Sequence, residues 1–281
     1  MTGKLQVPDV GNEIVIIDSA TKLDDTCRGK VLVCGSHGGE YPAWLVAGAG
    51  CRAVILNDAG ICKDEAGIAS LAYLEKHGMA ACSIDTMSAR IGDAGDMFAR
   101  GIISRANASA AALGVMSGQA CDEAAHLLLK AKEVQIDPGS YEEARILLAG
   151  EKGEADVVLI DSASLVKPED KGRVIITGSH GGLVGGVPAM ALQVDGLAGI
   201  FHDAGGGADG AGLTRLPALD QRNIAAATVA AESARIGDAG SIYEDGIISH
   251  VNETASQAGG RAGQCVGDFV QLLRQVQSDC F

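Results

Sequence analysis

The chain carries its own sequence twice. Gly35-Ser36-His37-Gly38-Gly39 returns as Gly178-Ser179-His180-Gly181-Gly182, and Asp58-Ala59-Gly60 returns as Asp203-Ala204-Gly205. The octapeptide SARIGDAG at 88–95 recurs letter for letter at 233–240. The offset is 143 residues at the first motif (35 to 178) and 145 at the later ones (88 to 233), so one short insertion after Gly182 keeps the halves in step. A unit of this length has the size of a domain, not of a solenoid repeat. What the copies share is mostly polar residues and glycines, whereas a duplication kept only for its core would preserve apolar pattern. The repeat therefore marks candidate site residues.

Each half alternates aliphatic runs with helical patterns. Residues 13–20 (EIVIIDSA) match 156–163 (DVVLIDSA), and a second run at 30–34 or 173–177 leads into GSHGG. Further runs at 53–56 and 198–201 lead into DAG, and runs at 79–84 and 224–229 lead into SARIGDAG. Continuous aliphatic segments suit strands buried on both faces. Helices are predicted at 43–49, 189–194 and 68–77, the last with a counterpart starting near Pro217. The expected fold is α/β, with two tandemly duplicated units (1–140 and 141–281), each a mainly parallel sheet flanked by helices. The join falls within residues 133–156, where Asp137-Pro138-Gly139-Ser140 reads as a turn and 141–149 as a short helix. All three motifs follow strand C-terminal ends, where ligands bind in open α/β sheets.

GSHGG offers backbone N–H groups before a helix and suits an oxyanion or carboxylate, although glycines in a tight turn would look the same. Ser36, His37, Ser179 and His180 are candidate catalytic residues, with Gly38, Gly39, Gly181 and Gly182 as backbone donors. Asp58 and Asp203 are candidate general bases, or N-caps of the next segment. In SARIGDAG, Arg90 and Arg235 would clamp a substrate carboxylate. Asp93 and Asp238 would pair with those arginines or contact the ligand, and an internal brace would also survive duplication. Ser88 and Ser233 are nucleophile candidates or loop-fixing hydroxyls, and Asn107 and Asn252 read as helix caps. The second half has His202, Glu232 and His250 where the first has Asn57, Met87 and Arg105, and so a richer acid–base set.

Composition narrows the function. With 22 basic against 36 acidic residues and a net charge of −14, the chain lacks the basic footprint of a nucleic-acid binder. Aromatic residues make up 3% of the sequence, so the cores must be aliphatic. Eight cysteines without a CxxC pair, and no apolar run of membrane length, lead to the expectation of a cytoplasmic protein off the membrane. No cofactor is expected. A divalent metal on His37, Asp58 and Asp93, or on His180, His202, Asp203 and Asp238, has suitable ligand types but no diagnostic spacing. Gly205 to Gly210 fits GxGxxG, yet the first copy lacks it and Pro217 interrupts the following helix. The expected function is an enzyme on a small polar, carboxylate-bearing metabolite, a hydrolase of C–N or C–O bonds. A non-catalytic sensor or carrier, a proton-transfer isomerase, and a structural oligomer with loop-bracing motifs are the alternatives; a homo-oligomeric state is left open.

Overall fold

The computed structural model describes residues 12–151 and 153–276. The first sheet runs in the order β1 (Ile14–Ile17), β2 (Val31–His37), β3 (Ala53–Asn57), β4 (Ala80–Ile84), β5 (Ile103–Ala106). The first four strands are parallel and β5 is antiparallel to β4. The helices of this unit are α1 (Glu40–Gly48), α2 (Ala69–Lys76), α3 (Ala94–Arg100), α4 (Ala108–Ala111) and α5 (Cys121–Leu128). The second sheet holds β6 (Arg145–Leu148), β7 (Val157–Ile160), β8 (Val174–His180), β9 (Ala198–His202), β10 (Ala225–Val229) and β11 (Ile248–Val251) in sequential order. Strands β7 to β10 are parallel, with antiparallel β6 and β11 at the edges. The helices here are α6 (Arg215–Asp220), α7 (Ala239–Asp245), α8 (Glu253–Gln257) and α9 (Val266–Val276). The architecture is α/β, with two similar units.

Burial follows from the pleat. Val31 and Val33 face the layer holding Met97 and Phe98 of α3 and Ala124 and Leu128 of α5. Leu32 and Cys34 face the opposite layer, with Val46 of α1 and Leu74 of α2. A strand whose alternate residues both meet helices must be apolar throughout, which is why these runs read as continuous. The second unit repeats the pattern, with Val174 and Ile176 against α7 and α9 and Ile175 against α6. Sequential strand order leaves no switch point within either parallel run.

Two segments differ from expectation. Residues 141–149 contain strand β6, not a helix, because Arg145 to Leu148 pair antiparallel with β7 and cover its edge. Residues 189–194 do not form a helix. Gly185 and Gly186 take left-handed φ values of 61° and 67° just before Pro188, and the segment breaks into single turns. The caps match expectation: the Asn107 and Asn252 side chains accept from Ala110 and Ala255 N–H groups at 2.9 Å. Among the described residues, no helix is long and apolar enough to cross a membrane.

Candidate functional site

The units meet about a pseudo-twofold axis. Ala59, Ile91, Ala204, Ala211 and Ile236 form a small apolar core there. Gly60 and Gly205 pass so closely that a Cβ on Gly60 would lie 3.1 Å from the Gly205 Cα. Lys63 N–H donates to Ala231 O at 2.9 Å, and its counterpart Ala208 N–H donates to Thr86 O at 2.8 Å. Arg90 reaches Asp209 at 2.9 Å, and its counterpart Arg235 reaches Asp64 at 3.0 Å. Every one of these contacts crosses from one unit to the other.

The SARIGDAG and DAG motifs are thus placed in the junction. Arg90 also contacts Asp93 and Asp96, and Arg235 Nε donates to Asp238 at 3.0 Å. Asp93 and Asp238 cap α3 and α7. Asp58 Oδ1 accepts from Gly60 and Thr86 N–H groups, and Asp203 Oδ1 accepts from Gly205 N–H. Ser88 and Ser233 accept from the Ile102 and Ile247 N–H groups and donate to the Asp85 and Ala230 carbonyls. None of these eight residues lines the main cleft. The arginines and, apart from buried Asp96, their acidic partners are half exposed, so each exposed pair contributes little to stability. Arg235→Ala removes two such pairs, with Asp64 and Asp238, and should lower urea-unfolding stability by about 2 kcal/mol or less. The affinity of any ligand held in the cleft should be unchanged.

GSHGG goes elsewhere. Both copies open on one cleft of about 120 Å³, lined by Ser36 and His37 of one unit and Ser179 and His180 of the other. The ends of β1 and β7 add Ser19 to Lys22 and Asp161 to Ser164. These are strand C-terminal ends from both sheets. Each serine is fixed: Ser36 Oγ accepts from Ala20 N–H and Ser179 Oγ from Ala163 N–H, both at 2.9 Å. The glycines after each histidine set its tautomer. Gly39 N–H donates to His37 Nδ1 at 3.1 Å, and Gly182 N–H donates to His180 Nδ1 at 3.2 Å. An imidazole accepting at Nδ1 carries its proton on Nε2 when neutral. Each Nε2 makes no hydrogen bond to a described residue and is left to act as a donor in the cleft.

Both rings stay neutral. Burial, with His202 nearby, pushes His37 down to about 3. Burial holds His180 well below the ordinary histidine range, helped by Arg215, His37 and His202. His202 sits behind them, lowered by burial, donating to Ala234 O and accepting at Nδ1 from Ala204 N–H. Unfolded, these rings titrate near 6.5. The unfolded chain then takes up protons that the folded chain refuses, so stability is full above about 6.5 and falls as pH drops towards 3. From pH 7.5 to 5.5 the His37 ring should cost about 1.4 kcal/mol of unfolding free energy, with His180 and His202 acting in the same direction, measurable by urea titration. A flat profile over that interval would contradict neutral rings.

Several cleft residues escaped the sequence reading. Asp161 accepts from the Ala144 and Ala239 N–H groups, and burial raises its pKa. Its signal was the repeated IDSA, read only as strand. Tyr41, Tyr141 and Glu143 close the first-unit side; Tyr141 and Glu143 come from the segment between the sheets. Tyr141 packs tilted against Tyr41 and Trp44 at centroid distances of 5.2 and 5.9 Å, and Trp44 Nε1 donates to Gly139 O. Burial raises the pKa of Glu143. Arg215, at the start of α6, lines the second-unit side.

The metal sets proposed from sequence are divided between cleft and junction, and no group of three or more metal-binding side chains occurs among the described residues. The glycine run at 205–210 packs on Gly60 and Thr86 of the other unit and leads into a tight turn, Ala208–Leu213, so it presents no phosphate cradle before a long helix. No protein-family model, no curated protein and no solved structure matches the chain.

Proposed function

We propose that the protein is an enzyme that polarises a carbonyl of a small carboxylate-bearing metabolite in the inter-unit cleft and hydrolyses a C–N or C–O bond. The observation that carries this reading is the pair of neutral histidines. Their Nδ1 atoms are occupied by glycine N–H groups, which leaves two Nε2–H donors and two serine hydroxyls on one small cavity. Neutral imidazole donors stabilise a developing oxyanion without themselves titrating. Rings held in this tautomer offer no Nε2 lone pair to a serine, so attack by water is favoured over attack by Ser36 or Ser179. Asp161 and Glu143 are the carboxylates on the cleft, both with pKa raised by burial, and one of them would accept the proton of the attacking water. Collapse of the tetrahedral intermediate would return that proton to the leaving nitrogen or oxygen. A cytoplasmic setting fits the free thiols among the described residues.

The same neutral histidine beside a carboxylate also suits a proton-transfer isomerase. The separating experiment is incubation with small carboxylate amides, esters and 2-oxo acids in D₂O. Cleavage with no deuterium in recovered substrate supports hydrolysis, and C–H exchange without cleavage supports isomerisation. Binding without either supports a carrier.

A further inference from the structure

Arg215 is 4% exposed, yet among the described residues no carboxylate lies within ion-pair distance of it. Its Nε donates to Gly182 O at 3.1 Å, and its Nη1 donates to the Met190 and Ala191 carbonyls. The guanidinium carbon lies 5.0 Å from the Phe201 ring centroid. Carbonyls and a ring face spread the charge without neutralising it, and a buried cation without a counter-ion is costly. Nη2 alone makes no hydrogen bond to a described residue, and Arg215 lines the cleft beside His180. Burial pulls its pKa down to about 10, in keeping with the missing anion.

We propose that Arg215 seats the carboxylate of a small monocarboxylate, with His180 Nε2–H as a second donor, and so fixes which way the ligand lies in the cleft. This deepens the carbonyl-polarising reading and rests on it for the site. Orientation follows from broken symmetry: the first unit has Ser70 at the position of Arg215, so the buried guanidinium has no repeat counterpart, and the other cation on the cleft is Lys22, after β1. The opposite side presents Tyr41, Pro42 and Leu45, with Glu143 and Asp161 beside them. A second negative charge on the ligand would meet those two carboxylates, so dicarboxylates and phosphate are disfavoured.

The test is calorimetric titration of the full chain with propanoate, propanamide, succinate and inorganic phosphate. Propanoate should bind at least about tenfold more tightly than propanamide, the scale of a charge-assisted hydrogen bond, and similarly more tightly than succinate or phosphate. Arg215→Met should abolish the preference for propanoate over propanamide, and Arg215→Lys should retain part of it. Equal affinity for propanoate and propanamide would overturn the proposal, as would no measurable propanoate binding, tighter binding of succinate or phosphate, or unchanged propanoate affinity in folded Arg215→Met. If the variant fails to fold, the wild-type comparison still decides. Arg215-dependent propanoate binding with full turnover in His180 variants would sink the carbonyl-polarising reading alone. Lost turnover in His180 variants with unchanged KM in Arg215→Met would sink the carboxylate seat alone.

Discussion

His180→Phe should lower kcat by about 10²–10³, the typical loss on removing one oxyanion donor. His37→Phe should act in the same direction, because the two rings are related by the pseudo-twofold and share one cavity. Two donors serving one oxygen act as a unit, so the double variant should fall well short of the product of the single losses. His180→Gln keeps an N–H donor and should recover part of the rate. Since the proposed role is donation by a neutral ring, kcat should show no ionisation near 6.5 attributable to either histidine. The measurement is steady-state turnover as a function of pH, on variants whose folding is first verified by circular dichroism. Full activity in His37→Phe together with His180→Phe would end the assignment.

The largest expected loss of stability lies away from the cleft. A Cβ on Gly212 would overlap the carbonyl oxygen of Asp203 and lie 3.1 Å from Gly206 O. Its repeat counterpart Gly67 meets Asp58 O in the same way and Ile61 O at 3.0 Å. These obstacles are backbone atoms in the DAG turns, whose neighbours Gly60 and Gly205 pack against each other at the axis. Relief would push the turns into the junction. Gly212→Ala should therefore cost at least about 3 kcal/mol, the upper range for overpacking a tight site. Gly267→Ala, in α9 with nothing within 4 Å, should instead gain about 0.5–1 kcal/mol by helix propensity. Urea unfolding of both variants tests the contrast, and a Gly212→Ala loss below about 1 kcal/mol would contradict it.

The sheets were legible because their strands are buried on both faces and so nearly uninterrupted in the sequence. Strand β6 was not, since Arg145 to Leu148 is short, flanked by charge, and defined only by pairing with β7. GSHGG pointed at the cleft because polar identity at a strand end is costly without a use. SARIGDAG carried an equally strong signal, and the structure puts its arginines in reciprocal ion pairs across the junction. Identity between copies marks constraint, and an interface on a twofold constrains as tightly as a ligand does. Arg215 was invisible for the opposite reason: it has no counterpart in the first half, where Ser70 stands. A search for what the copies share cannot find what only one of them acquired.

That difference has a bearing on how such a site can evolve. In a homodimer every substitution appears on both sides of the axis, so a cation added at one pole is added at the other. Joining both copies in a single polypeptide removes this coupling. One pole can then gain a guanidinium that the other lacks, and the central histidines stay matched. Fusion in this sense lets a palindromic cavity become directional, able to tell the head of a molecule from its tail.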